Sequence, residues 1–362
     1  MTDGDERLVT RYSGHTHGWH DTTAVVVLDG APVAVSVDRD ATLWVCGLLD
    51  GECSSRPLDL TNAEPEDAWY FEMGLWDEDD EDDDELRPRC SIDPYYICSH
   101  LAVGELDGRA VVITGGGRFD LSGADPETMG GAVRVWDLRT GAQMGKTLTG
   151  HDLGVTSLWT VPTEAGLLAV SSSEEGQLMA SNLRSGEEVA YLRASFNGDM
   201  TAGLLGGRPV AVTGGHDDFV QVWDLLEGEQ RGPTLEGIEA VARAHAVVEV
   251  DGRAMVVAGG DRHLLHRWDL ESGEPLAEPS AGHTDRIHSL GTAHTADGRA
   301  IVVTGSNDDT SRIWDLRSGE QIGEPLAGQL YAVVELDEGP VAVTSAPKRQ
   351  DLLVWDLNRA VG

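Results

Sequence analysis

The triplet Trp-Asp-Leu recurs at Trp136, Trp223, Trp268, Trp314 and Trp355. A degenerate form, Ser181-Asn182-Leu183, keeps the phase, and successive anchors lie 41 to 46 residues apart. A glycine follows five positions later at Gly141, Gly186, Gly228, Gly273 and Gly319. The stretch from Ile301 to Glu320 shows what one copy contains. Ile301 to Thr304 is a β-branched run suited to a buried strand. Gly305 to Asp308 are turn formers. Ser311 to Leu316 alternates, and Ser318-Gly319 breaks it with a residue that tolerates positive φ. Upstream, an Asp-Gly pair separates two apolar runs at Asp29, Asp107, Asp251 and Asp297, a pattern that predicts a two-residue hairpin. Gly206-Gly207 stands in for it once. Trp44, followed by Val45, reads as the anchor of a further copy, which brings the total to seven. One hairpin pair cannot cover both of its faces, so the copies must stack on one another. A period near ~40–45 with four short strands per unit is the sequence form of a propeller blade.

The chain resembles the WD-repeat (WD40) family, in a bacterial, actinobacterial-like form. The residues that carry the resemblance are Gly14-His15, Gly150-His151 and Gly282-His283, the Trp-Asp pairs, and Asp38, Asp217 and Asp308 six positions before their tryptophans. It implies an all-β, seven-bladed propeller of four-stranded blades. It also implies a structural hydrogen-bond network of His, Ser or Thr, Asp and Trp within each complete blade. Glu175 and Ser181 replace Asp and Trp in the third blade, Arg262 replaces Asp in the fifth, and the fourth, fifth and seventh lack Gly-His. Those blades are expected to lack a complete network.

The unit after Trp355 has no outer strand, whereas the N-terminus has one to spare. Residues from about Arg7 to Tyr12 are therefore expected to close the ring beside the strand at Leu352–Leu357, so that residues 1–362 form one domain. The distance from Trp44 to Trp136 is about twice the period. Two insertions, at about 61–94 and 116–131, account for most of it. A decayed eighth blade over 55–94 is disfavoured, because the stretch has few β-branched residues and nine consecutive acids.

With 63 acidic and 26 basic residues, the formal net charge is −37. Such a surface repels nucleic acid and anionic membranes and favours a basic partner. The polar start MTDGDERLV is unlike a secretory signal, and no apolar run approaches the ~18 residues of a membrane span. Cys46, Cys53, Cys90 and Cys98 show no zinc-ligand spacing and do not read as a disulfide framework, so they are expected to be small buried hydrophobes, with a redox-linked pair as the alternative. The expected setting is a bacterial cytoplasm, and the expected state a monomer.

The most unusual segment runs from Ala63 to Cys90. Trp69, Tyr70, Phe71 and Trp76 precede nine acids, Asp77 to Glu85, among them Asp79 and Asp82. It reads either as a solvated loop or as a docking element, in which the aromatics supply contact area and the acids steer a basic protein. It lacks the spaced ligands of a calcium loop. By the family register, both insertions project from one rim at blade two. Further contact positions on that rim are Glu174, His216 and Asn307, before the turn aspartates or their equivalents, and Arg286 and Leu153 at the starts of inner strands. His20 and His288 share a register that approaches the central channel, where two histidines could hold a metal. His263 and His266 read as solvated. No phosphate loop, nucleophile elbow or other catalytic motif appears, and no cofactor is expected.

The leading functional expectation is a non-catalytic protein-interaction scaffold. An enzyme with its site in the channel or on the rim is the alternative, since propellers host many activities. A narrower alternative is an acidic inhibitor or immunity-like binder of a basic protein.

Overall fold

The computed structural model describes residues 6–12, 23–28, 30–37, 42–50, 52–58, 100–117, 130–173, 176–193, 200–214, 218–238, 241–345 and 351–362. Seven antiparallel sheets stand around an axis. Blade one holds β2 (Thr23–Leu28), β3 (Ala31–Val37), β4 (Thr42–Gly47) and β5 (Cys53–Pro57). Blade two holds β6 (His100–Leu106), β7 (Arg109–Gly116), β8 (Gly131–Asp137) and β9 (Gln143–His151). The inner strands of the remaining blades are β10 (Val155–Thr163), β14 (Met200–Leu205), β19 (Ala242–Val250), β23 (Ile287–His294) and β27 (Leu330–Leu336). Each inner strand touches the next, and β27 touches β2, so the cycle closes with seven members and leaves no place for an eighth blade.

The core is correspondingly divided into seven clusters, each trapped between two neighbouring blades. The second strand of each blade is buried beyond its first one or two residues, and β24 (Ala300–Ser306) along its whole length. That is why these runs read as continuous rather than alternating apolar sequence. Each blade tryptophan packs against the preceding blade: Trp136 lies in the cluster of blades one and two, Trp314 in that of five and six, Trp355 in that of six and seven.

Closure is by the N-terminal strand. β1 (Leu8–Tyr12) pairs antiparallel with β29 (Leu352–Asp356), placing Leu8 opposite Trp355 and Tyr12 opposite Leu352. Arg7 reinforces the seam. Its carbonyl accepts from the Asp356 amide at 2.9 Å, its guanidinium donates to Glu324 O at 2.7 Å, and it lies over the Trp355 ring. After β29 the chain turns into a short helix, α1 (Leu357–Val361), which the sequence pattern does not announce. Asp356 caps it by accepting from the Arg359 amide.

The aspartates of the Trp-Asp pairs share one local task. Asp137 Oδ1 accepts from the amides of Arg139 and Thr140, and Asp315 Oδ1 from those of Arg317 and Ser318, which satisfies the turn before the outer strand. In blade four an arginine from the first hairpin adds an ion pair, Arg208 to Asp224 at 2.7 Å. Burial would raise the Asp224 carboxyl, but Arg208 and the turn amides outweigh it and hold the group below its ordinary range. Arg267 was not singled out by sequence. It is buried, and its guanidinium docks blade five onto blade six by donating to the carbonyls of Leu316, Arg317 and Ser318.

Three local expectations are corrected. Asp107-Gly108 and Asp251-Gly252 do form two-residue turns with positive φ at both residues. Around Asp297-Gly298 the connection is longer, because His294 pairs with Ala300 and residues 295–299 form the loop. The anchor of blade one is not Trp44. Trp136 pairs with Val112, two residues before its hydroxyl partner Thr114; the matching pair in blade one is Ala34 with Cys46, two before Ser36. Gly47 then takes the aspartate's place, its amide donating to Glu52 O as that of Asp315 does to Glu320 O. The Trp-Asp-Leu of the other blades is here Cys46-Gly47-Leu48, and Cys46 forms a disulfide with Cys53. Cys46 is buried as expected, but Cys53 is exposed, and the bond between them overturns the reading of the pair as unlinked buried hydrophobes.

Candidate partner-binding rim

In blade six the hydrogen-bond network is complete. His283 Nδ1 lies 2.9 Å from Asp308 Oδ2, and its Nε2 lies 2.8 Å from Thr304 Oγ1. Trp314 Nε1 donates to the same hydroxyl at 2.8 Å. An indole N–H can only donate and a carboxylate can only accept. The neutral Nδ1–H tautomer of His283 therefore satisfies every partner: Nδ1–H donates to Asp308, and the Thr304 hydroxyl donates to Nε2 while accepting from Trp314. Burial holds the His283 imidazole below its ordinary value, against the pull of Asp308. Burial would raise the Asp308 carboxyl, but the hydrogen bonds from Thr310, the Thr284 amide and His283 bring it down to about 2.

This network ties the segment entering β23 to the turn after β24 and so fixes two expected contact residues. The Asn307 amide donates to Arg286 O at 3.1 Å, and both side chains are exposed. The loop before an inner strand and the loop after the second strand thus share one face at blade six. Asn307 also borders a recess of about 380 Å³ with His288, Gln329, Tyr331, Ser345 and Thr23. Gln329 is held by its amide to Ser345 Oγ at 3.1 Å and by its side-chain nitrogen to Asp309 Oδ1 at 3.1 Å. The recess presents amide, imidazole and hydroxyl groups, a set suited to hydrogen bonding.

Other blades depart in graded ways. Trp136, Trp223 and Trp355 each donate to a threonine of the second strand: Thr114, Thr213 and Thr344. In blade five Ala258 cannot accept, and Trp268 donates to Glu236 O instead. In blade three His151 Nε2 meets Ser171 Oγ at 2.8 Å, while Ser181 stands where the tryptophan would be. Met179 takes up the space instead: a Cβ on Gly150 would meet its methyl, just as a Cβ on Gly282 would meet the Trp314 ring. Burial pushes His151 down to about 4.

Of the expected contact residues, the structure brings Arg286 and Asn307 together, and Leu153 precedes β10 on the same face. Trp69, Tyr70, Phe71, Trp76, Asp79, Asp82, Glu174 and His216 lie outside the described residues, as do His15, His20, Cys90 and Cys98. His288 lines the recess. His266, expected in solvent, is buried and stacks on Trp268 at 5.5 Å between ring centroids. Among the described residues, no three His, Cys, Asp or Glu gather as metal ligands. No helix among them is long and apolar enough to cross a membrane. Of the recess walls, drawn from three blades, sequence reasoning singled out Asn307 and His288 but missed Thr23, Gln329, Tyr331 and Ser345, which no local signal marks.

No family model matches the chain, and no curated protein matches it. Among solved structures, the chain is similar to the WD40 β-propeller domain of Doa1, with a TM-score of 0.61 and 16% identity over 96% of each chain. At that identity the likeness concerns the fold, which is that of a WD40-type propeller.

Proposed function

We propose that this propeller is a non-catalytic protein-binding platform that works through the rim carrying Arg286 and Asn307. The observation that carries this reading is the blade-six network. Beside it a backbone hydrogen bond holds together the two loops that carry the exposed Arg286 and Asn307, next to a recess of hydrogen-bonding groups. A partner would meet a preorganised surface and lose little free energy to ordering it. The segment from Ala63 to Cys90, with Trp69, Tyr70, Phe71 and Trp76 ahead of its acids, supplies the second half of the reading. With a net charge of −37, the partner is a basic protein, met by a monomeric propeller in the cytoplasm. Glu174 and His216 belong to the same rim by register.

The test is capture from native cell extract at low and high salt. The intact chain is run beside one variant lacking residues 62–92 and another carrying Arg286→Glu with Asn307→Ala. A basic protein retained by the intact chain, and lost with either variant or at high salt, supports the reading. A partner retained equally by all three sinks it. Turnover of a small molecule by the purified protein would replace it with the enzyme reading.

A further inference from the structure

The seven inner strands enclose a channel whose chemistry differs from the rest of the molecule. The space measures about 670 Å³, within the ~300–1,000 Å³ usual for small-molecule sites. The chain carries a net charge of −37, yet among the described residues no carboxylate, ammonium or guanidinium lines this space. Room is made by small side chains such as Ala24, Ala202, Gly203 and Ala332. Wall hydroxyls are turned onto the backbone: Thr160 Oγ1 donates to Val103 O at 2.8 Å and Thr201 Oγ1 to His245 O at 2.9 Å. The surface left toward the axis is uncharged and somewhat more apolar than polar, with Thr23, Thr292, Tyr331 and His245 among its polar groups.

Two large apolar side chains stand bare in this wall, Trp159 at 40% and Leu204 at 44% exposure. Trp159 Nε1 donates to Met200 O at 2.8 Å, which fixes the indole across the inner strand of blade four with its polar edge already satisfied. Its exposed surface is an aromatic platform. At one end Thr23 and Tyr331 border both the channel and the rim recess, so an apolar interior opens beside a polar mouth.

We propose that the channel is a binding site for an uncharged, apolar small molecule of aromatic-ring dimensions, stacked on Trp159. A charged guest would lose hydration without finding a counter-charge, and the acidic exterior turns anions away. A neutral aromatic guest gains from covering Trp159 and Leu204 and from ring-on-ring contact. This site does not depend on the rim reading, and the two can fail separately.

The experiment is a fluorescence titration of the intact protein with N-phenyl-1-naphthylamine, a neutral dye that brightens in apolar surroundings. The expected result is saturable, one-site binding. Gly203→Leu is the decisive variant. A Cβ there meets no atom within 4 Å and the backbone φ is not positive, so the new side chain fills the channel without disturbing the wall. It should weaken binding by about tenfold or more. Trp159→Ala, which only removes atoms, should weaken it by about tenfold. Leu226→Gln alters a side chain that is 56% exposed and lies away from the channel, and should leave binding unchanged. Thermal melts confirm that each variant is folded. Absence of saturable binding would mean that the channel holds only solvent, and would overturn the proposal. So would equal binding by wild type, Trp159→Ala and Gly203→Leu, which would place the dye elsewhere.

Discussion

Cys46 stands opposite Cys53 at the register where Trp136 faces Gln143 and Trp314 faces Gln321, and a disulfide joins the pair. Blade one thus secures its outer strand covalently where other blades use an indole. Apart from this link the strand is held by its ladder to β4 and by Arg56, which donates to Arg139 O, while most of its side chains are exposed. Reduction is expected to cost about 2 kcal/mol, following the loop-closure dependence of disulfide stabilisation. Melting with and without dithiothreitol checks this, and the double variant Cys46→Trp with Cys53→Gln should make the melt insensitive to reductant. An unchanged wild-type melt would mean that the link adds nothing.

Thr304 serves two buried partners, His283 and Trp314, whereas Thr344 serves Trp355 and itself donates to Ala327 O. Thr304→Val keeps the shape but strands two polar groups, at about 3 kcal/mol, since each orphaned group costs about 1–3 kcal/mol. Thr344→Val should cost less, because it strands one buried group, the Trp355 indole N–H, while its other partner, Ala327 O, is only partly buried. Denaturant unfolding of the two variants compares them directly, and equal losses would contradict the two-partner geometry.

The buried histidines give the fold an acid-sensitive side. His151 falls from an ordinary 6.5 to about 4 in the folded state, and His283 is lowered in the same direction. Their contribution is fully present above the unfolded value. It shrinks as pH drops below that value, because the unfolded chain takes up protons that the folded sites refuse. For His151 the loss ends near the folded value of about 4. Asp308 adds a later loss between its ordinary 3.8 and about 2. His151→Asn should flatten the decline in melting temperature between pH 6.5 and 4 relative to wild type. Parallel curves would show that His151 does not contribute.

Removing residues 1–12 takes away β1 and with it the pairing of Leu8 with Trp355 and Tyr12 with Leu352. The ring then has an open edge at β29 and loses Arg7 from the seam. The truncated protein is expected to melt earlier as a whole, because every blade is packed between two neighbours. A melt that matches the intact chain would show that closure does not depend on this strand.

The repeat was legible because tryptophan is rare and bulky and the turn glycine keeps its offset. Blade one was misread for a geometric reason. Trp44 and Cys46 are two residues apart on a strand, so they share a face and alternation cannot separate them. Gly51, five residues after Cys46, was the signal that could have decided it. Helix α1 was hidden because Asp356 can end a strand and cap a helix with the same carboxylate. At the rim, the closeness of Arg286 and Asn307 followed from the family register. The recess beside them did not, since Thr23, His288, Asn307 and Tyr331 come from three blades far apart in sequence.

The seam between β1 and β29 also dictates an order of events at birth. The strand that completes the ring leaves the ribosome before the blades it seals, and its partner, Leu352–Asp356, leaves more than three hundred residues later. In the meantime six sheets can assemble from local neighbours, while β1 must remain unpaired and shun the free edges those sheets expose. Sealing is therefore a single late step, and a ribosome that stalls anywhere before residue 352 leaves an open arc. For this chain the hazard of misassembly is concentrated in the interval between its first strand and its last.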